Sequence, residues 1–292
     1  MLFFFQDTFL MKYRLRIYSF FLFSSLFILC LAQNNKNKKL RITYKVVYTY
    51  SSDSAPRHDV SYLDIQADGV SCFYSHYFVK SQEIQDSINR RGSVSDDMVS
   101  KAIAPYDGGQ PNFVYKHIPA EGKLTFATYH VDWFKYSEPI PALQWKIEGK
   151  DSVIAGYHCQ AATTSLRGRR WRAWFTLDIP VSDGPWKLCG LPGLILRATD
   201  EQGYFDFDCT GVASIEIPPI ELAKNNYVSC TPEEAFKMEQ ERRENPLAFL
   251  NRQFGGQQQF PDELVRKADR SNNEEEKAKF TYIERYDLKE TH

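Results

Sequence analysis

A regular alternation of apolar and polar residues constrains this 292-residue chain more than any other feature of its sequence. Between residues 41 and 50, every second side chain is large and apolar: Ile42, Tyr44, Val46, Tyr48 and Tyr50. Because successive side chains of a β-strand point to opposite faces, a period of two predicts a half-buried strand. Further runs flank Asp68-Gly69, a dipeptide typical of tight hairpin turns. The chain is therefore predicted to form antiparallel strands joined by short turns.

Later segments show the same alternation and indicate which side chains face the interior. Cys159 shares a predicted inward face with its neighbours Val153, Ala155, Tyr157 and Ala161. A second inward face is predicted for Trp171, Ala173, Phe175, Leu177 and Ile179. Between residues 204 and 209 the apolar side chains alternate with Asp206 and Asp208, so Cys209 is expected inside and both carboxylates on the opposite face.

Helical signals are fewer and stand mostly near the C-terminus. Thr231-Pro232-Glu233-Glu234 combines an N-cap hydroxyl, a proline at the first helical position and a capping-box acid, which predicts a helix start. Residues 80–101 carry apolar side chains at a spacing that fits either a helix or a mobile connection. The predicted fold is mainly β: a curved antiparallel sheet or a partly open barrel-like meander, with one or two helices mostly near the C-terminus.

The first 32 residues have the layout of a secretory signal peptide. Basic residues at 12–16 precede an apolar run at 17–31, and cleavage is expected after Ala32. The run is shorter than the roughly 20 apolar residues of a membrane-spanning helix, which makes a retained anchor the weaker alternative. A signal peptide that starts at Met11 has a more typical layout than one that starts at Met1. Export to the periplasm or cell envelope is predicted, with no transmembrane segment in the mature chain.

Composition divides the rest of the chain near residue 222. Residues 33–222 contain the alternating runs and are predicted to form one β-rich domain. Residues 223–292 contain the helix signal and a stretch rich in charge, including Glu274-Glu275-Glu276. Few large apolar side chains interrupt that stretch. A helical C-terminal extension with a charged tail is predicted there.

The balance of charge argues against a nucleic-acid partner. The chain has 36 basic and 37 acidic residues and a formal net charge of −1, so it has no field that would attract a polyanion. No glycine spacing typical of a phosphate loop occurs, and no cofactor is predicted. The abundance of aromatic residues, 15% of the chain, favours an apolar or amphipathic ligand or an envelope protein as partner.

Five cysteines remain after the expected cleavage, and an exported protein can pair some of them. Disulfides and buried thiols both remain open for Cys72, Cys159, Cys189 and Cys209, while Cys230 completes the odd count. The sequence contains no CxxC spacing and no HExxH motif. No metal site is therefore predicted.

Separated blocks between Trp145 and Ile195 resemble one known family. In order they are Trp145-Lys-Ile-Glu, Gly156-Tyr157-His-Cys159-Gln-Ala161, Arg167-Gly168-Arg169, Ala173-Trp174-Phe175, Gly184-Pro185-Trp186 and Gly190-Leu-Pro192-Gly193-Leu-Ile195. These blocks and their order resemble the GLPGLI family, exported proteins of Bacteroidota. The resemblance implies an envelope protein and supplies no reaction or catalytic residue, because the family has none established. Where the family usually has a lysine after the cysteine, this chain has Gln160.

The last of these blocks is interpreted as a structural corner between two strands. Its residues are Gly190, Leu191, Pro192, Gly193, Leu194 and Ile195. Proline fixes its own φ, glycine adopts conformations that other residues resist, and Pro192-Gly193 suits the centre of a type II turn. Rigid loops also form binding sites, so a ligand-contacting loop is the alternative.

A cluster of arginines beside tryptophans is the candidate ligand-binding site. It consists of Arg167, Arg169, Arg170 and Arg172 with Trp171 and Trp174. Guanidinium groups beside aromatic faces can bind carboxylate, phosphate or sugar. In the alternative interpretation, the arginines solvate the outer side of a hairpin and pair with Asp178, Asp206 or Asp208.

Three functions remain open from the sequence. The favoured one is a non-catalytic envelope protein that uses a face of its β-sheet to bind a ligand or a partner. The second is an envelope hydrolase that uses Asp206 and Asp208, since two carboxylates on one strand face can raise each other's pKa. The third is an accessory factor of an outer-membrane uptake system. No catalytic residue is identified, and a catalytic role is the less favoured interpretation.

Overall fold

A computed structural model describes residues 38–91, 95–216, 218–253 and 280–285. The predicted signal peptide and most of the predicted charged tail lie outside these residues. The described chain forms twelve β-strands and four α-helices.

The strands are β1 (Lys38–Tyr48), β2 (Arg57–Gln66), β3 (Ser71–Ser75), β4 (Asn112–Lys116), β5 (Lys123–Tyr129), β6 (Trp133–Pro139), β7 (Lys146–Ile154), β8 (Tyr157–Leu166), β9 (Arg169–Thr176), β10 (Leu194–Asp200), β11 (Phe205–Glu216) and β12 (Tyr227–Ser229). The helices are α1 (His76–Arg91), α2 (Asp96–Ile103), α3 (Pro232–Glu244) and α4 (Pro246–Gln253), with a short 3-10 turn at Ala104–Tyr106.

All twelve strands belong to one sheet, in the order β12-β6-β5-β4-β3-β2-β1-β11-β10-β9-β8-β7. Every pairing is antiparallel except that of β12 with β6. Within the described chain the edge strands β7 and β12 do not pair, so the sheet is not closed. The predicted mainly β, partly open architecture is confirmed. The described helices number four instead of one or two, because His76–Arg91 and Asp96–Ile103 form α1 and α2 between β3 and β4.

The sheet curves so strongly that side chains near its two edges contact each other. Arg167, in the turn between β8 and β9, forms a salt bridge with Glu138 on β6, although β6 and β8 each lie second from an edge. The main apolar core fills the side enclosed by this curvature, here called the concave face. It includes Tyr44, Leu63, Phe73, Leu124, Trp171, Leu196 and Phe207.

Two predictions about strand faces are wrong, each at the end of a strand. Residues 153–161 do not form one strand: Ala155 and Gly156 have φ of 51° and 87° and make the tight turn between β7 and β8. Val153 is consequently 62% exposed near the end of the edge strand β7. Leu177, predicted to face inward, is 57% exposed because β9 ends at Thr176. Alternation predicts a buried face only where the strand continues.

Residues 177–193, here called the corner loop, cross the concave face between β9 and β10. Trp186, Leu188 and Leu191 are buried in the core, and the indole N–H of Trp145 donates a hydrogen bond to the Cys189 carbonyl at 2.8 Å. The loop therefore fills the space inside the curved sheet. The corner block, residues 190–195, joins the end of this loop to β10.

Pro192-Gly193 does not form the predicted type II turn, and the glycines of the corner loop have other roles. Gly190 has a φ of 92°, in the region that favours glycine, but Gly193 does not have a positive φ. A Cβ on Gly193 would instead lie 2.0 Å from the Thr176 carbonyl oxygen. Gly193 is needed because β9 passes too close for a side chain.

The chain after β11 returns to the sheet. Residues 218–227 cover the outer face of β3, β4 and β5, where Ile220 and Leu222 pack on a small cluster formed by Cys72, Tyr115 and Ala127. Helix α3 begins with the predicted capping box, in which Thr231 and Glu234 cap each other. Residues 280–285, here called the strap, cross the concave face. None of the helices described is long and apolar enough to cross a membrane.

Candidate functional site

A cavity of about 70 Å³ lies between the concave face, helix α3 and the strap. Its apolar walls come from all three: Phe126 and Phe205 on the sheet, Ala235 and Phe236 on α3, and Ile283 on the strap. Its polar groups are Gln110, Asn112, Thr128, His130, Tyr136, Glu239, Arg243, Tyr282 and Glu284. Aromatic walls with a few convergent polar groups are typical of small-molecule sites.

Glu239 fixes the charge on the helix side of the cavity. Its carboxylate accepts hydrogen bonds from Arg242 Nε at 2.8 Å and from Arg243 Nε at 2.5 Å. Burial acts to raise the pKa of Glu239, but attraction to Arg243 and Arg242 outweighs it and lowers the pKa to about 2. The carboxylate is therefore ionised at neutral pH, and its charge is compensated within α3.

His130 is a histidine with a buried side chain beside that carboxylate. Its Nε2 lies 3.8 Å from Glu239 Oε2, and its ring contacts Phe134 and Phe249. Burial lowers the pKa of His130 to about 4; Glu239 opposes this shift, and Arg242 and Arg243 add to it. The imidazole is therefore neutral at physiological pH and can donate or accept a hydrogen bond in the cavity.

Stability should depend on pH through His130. In the unfolded chain the imidazole has a pKa near 6.5, so the unfolded chain takes up the proton first as the pH falls. The stability contributed by the neutral, buried ring is complete above about pH 6.5 and is lost as the pH falls toward 4. His130→Phe keeps an aromatic ring but cannot titrate. Between pH 7 and pH 5, we expect the free energy of unfolding of this variant to fall by about 2 kcal/mol less than that of the unsubstituted chain. Urea unfolding at both pH values measures this; equal losses would contradict it.

An ion cluster borders the cavity and consists of the buried Lys187, Glu138 and Glu284 with the half-buried Arg167. Lys187 is 0% exposed, and its Nζ lies 2.7 Å from Glu138 Oε1, 2.6 Å from Glu284 Oε1 and 2.7 Å from the Tyr136 hydroxyl. Arg167 forms salt bridges with the same two glutamates. Two cations and two anions thus join the corner loop, β6, the β8–β9 turn and the strap.

The predicted arginine cluster is divided between the two faces of the sheet. Arg167 and Arg169 reach the concave side, where Arg169 binds Asp200 at 2.6 Å and donates to the Tyr282 carbonyl at 2.7 Å. Burial lowers the pKa of Arg169 to about 10, which leaves it cationic. Arg170 and Arg172 are exposed on the outer face and pair with Glu201 and Glu148. Of the two tryptophans, Trp171 is buried and Trp174 half-buried.

The alternative interpretation from the sequence pairs these arginines with Asp178, Asp206 or Asp208. Asp206 and Asp208 are also the candidate catalytic pair. Asp206 instead forms a two-point contact with Arg197 on the neighbouring strand, at 2.9 and 3.2 Å. Asp206 and Asp208 are not among the residues lining the cavity. Within the described ranges, no group of three or more His, Cys, Asp or Glu side chains could hold a metal ion.

The described cysteines are all unpaired thiols. Cys72, Cys159, Cys189 and Cys209 are buried, and Cys230 is half-buried. Burial raises the pKa of Cys159 and that of Cys209 to about 11. These thiols are therefore protonated and unreactive at neutral pH.

Sequence reasoning missed the residues that join the cavity to the ion cluster. His130 and Glu239 stand in no motif, and Lys187 follows Trp186 in a loop without periodicity. Glu284 falls in the segment predicted to be a charged tail. The helix start at Thr231 was the signal that bears on this site, because it placed a helix after the sheet.

One short stretch of the chain, which includes part of this site, is similar to a known protein family. Residues 167–197 match a family described as "Protein of unknown function (Porph_ging)". The matched stretch runs from the β8–β9 turn through the corner loop into β10. It includes Arg167, Arg169 and Lys187, which contact the strap.

Two solved structures of PNGF-II, in the P21 and C2 space groups, are similar to this chain with a TM-score of 0.46 and 16% sequence identity. The similarity covers 70% of this chain and 34% and 33% of those chains. The chain thus spans about a third of their length. No curated protein matches the chain.

Proposed function

We propose that this chain is an exported, non-catalytic binding protein of the cell envelope, which holds the apolar end of an amphipathic ligand on the concave face of its sheet. The observation that carries this proposal is the aromatic cavity between the sheet and α3. Export is supported by the charged and apolar layout of residues 12–31 and by the resemblance of residues 145–195 to the GLPGLI family.

The size of the cavity limits what it can accommodate. At about 70 Å³ it is smaller than the roughly 300–1,000 Å³ of pockets that enclose a whole drug-sized molecule. It therefore suits one end of a ligand, such as an aromatic ring or the end of an acyl chain. Phe126, Phe205 and Phe236 provide the apolar walls for that end.

The charges around the cavity favour a ligand whose buried end is uncharged. Glu239 is compensated by Arg242 and Arg243, and His130 is neutral. A charged group entering the cavity would have to break one of these pairs or remain unpaired in a desolvated site. A hydroxyl or carbonyl could hydrogen-bond to Thr128 or His130 without that cost.

Filling the cavity tests the proposal. Ala235 lines the cavity and is buried, so Ala235→Leu should occupy the space and abolish ligand binding. The ligand is detected by native mass spectrometry of the full mature chain purified from envelope extracts. Lys237→Leu, an exposed position on the same helix, is the matched control and should retain the ligand. Equal occupancy in both variants, or a chain that is always empty, would contradict the proposal.

A further inference from the structure

The strap is bound through its main chain in the way that a protein binds an extended peptide. Thr281 N–H donates to the Tyr50 carbonyl at 2.9 Å, and Arg285 N–H donates to the Arg167 carbonyl at 2.9 Å. The Thr281 and Tyr282 carbonyls accept from Arg243 Nη1 at 2.6 Å and from Arg169 Nε at 2.7 Å. Two donors and two acceptors of the strap are thus satisfied by the sheet and α3, independently of the strap's sequence.

Side chains of the strap add selectivity to this backbone contact. Glu284 is 8% exposed and places its carboxylate in the ion cluster, 2.6 Å from Lys187 Nζ and 3.7 Å from Arg167 Nε. Ile283 packs against the core, and the Tyr282 ring meets Phe236 edge to face. The cleft therefore matches an aromatic residue, an aliphatic residue and a glutamate in succession.

The β8–β9 turn is shaped to let the strap pass. Gly168 has a φ of 69°, and a Cβ there would lie 2.8 Å from the Cβ of Arg285. Any other residue at this position would press on the strap. The turn, with Arg167 and Arg169 on either side of Gly168, forms one wall of the cleft, and Thr49 and Tyr50, which directly follow β1, form the other.

We propose that this cleft is a binding site for an extended, glutamate-containing peptide segment of a partner protein, and that the strap occupies it as an intramolecular copy of that ligand. The inference deepens the proposed function and rests on it for the use of the concave face in binding. The partner's segment would replace the strap, make the same four main-chain hydrogen bonds and place its glutamate beside Lys187. The strap competes because it is tethered, with an effective concentration on the order of millimolar.

The test uses the full mature chain and a labelled peptide with the strap sequence, Phe-Thr-Tyr-Ile-Glu-Arg. Glu284→Lys puts a third cation beside Lys187 and Arg167, so the tethered strap should leave the cleft. Fluorescence anisotropy should show that this variant binds the peptide at least about ten-fold more tightly than the unsubstituted chain. A peptide with glutamine in place of glutamate should bind the variant roughly ten-fold more weakly, since it loses a charged hydrogen bond.

Absence of peptide binding to a folded Glu284→Lys chain would overturn the proposal, as would equal binding of the two peptides. If Glu284→Lys does not fold, Thr281→Pro provides the same test, because it removes the N–H donated to Tyr50 and the hydroxyl donated to Thr49 without a change of charge. The readout is separate from that of the small-molecule ligand. A chain that carries a ligand but never binds peptide refutes only the peptide site, and Ala235→Leu tests the cavity alone.

Discussion

Replacing Lys187 by methionine is expected to destabilise the protein by about 3–5 kcal/mol. The ammonium group of Lys187 is 0% exposed and contacts Glu138, Glu284 and the Tyr136 hydroxyl. Methionine fills a similar volume but carries no charge, so it leaves two buried carboxylates next to each other without this cation. Removing one partner of a buried ion pair costs far more than the pair itself contributes. Urea unfolding followed by tryptophan fluorescence measures the loss.

The matched control is Lys150→Met. The Lys150 side chain is 60% exposed, and its Nζ lies 3.6 Å from Glu148 Oε2. The same substitution there should therefore change the free energy of unfolding by less than about 0.5 kcal/mol. A loss below about 1 kcal/mol for Lys187→Met would show that the ion cluster does not hold the corner loop on the sheet.

The sheet could be predicted from the sequence because its strands are long enough to repeat the period of two several times. In β1 the buried positions Ile42, Tyr44, Val46 and Tyr48 are those that the alternation indicated. The predictions for Val153 and Leu177 are wrong because both residues lie where a strand ends and their side chains are exposed to solvent. Alternation gives no information on such ends, because burial there depends on the neighbouring strand and not on the residue itself.

The site could be predicted only in part. Arginines in the β8–β9 turn were identified as ligand-binding candidates, and Arg167 and Arg169 contact the strap. Their partner Lys187 could not be found, since lysine is among the residues least often buried and no local pattern marks this one. Glu138 and Glu284 meet only because the sheet curves, and curvature is a property of all twelve strands together. Long-range pairing of this kind leaves no signal in sequence spacing.

A single methyl group on Gly193 is expected to cost about 3 kcal/mol or more. The Cβ of Gly193→Ala would lie 2.0 Å from the Thr176 carbonyl oxygen and 2.8 Å from its carbonyl carbon. These are backbone atoms of β9, whose Thr176 pairs with Leu194 at the start of β10, so they cannot move aside as a flexible side chain would. Relief of the clash requires β9 and β10 to separate where the corner loop enters the core.

Gly149→Ala is the control for this prediction, because a Cβ on Gly149 meets nothing within 4 Å and its φ is not positive. We expect that variant to unfold within about 0.5 kcal/mol of the unsubstituted chain. The two alanine variants have the same effect on the flexibility of the unfolded chain, so the difference between them reports the close approach of β9. If both variants have the same free energy of unfolding, the corner loop does not depend on that close approach, and glycine at 193 would need another explanation.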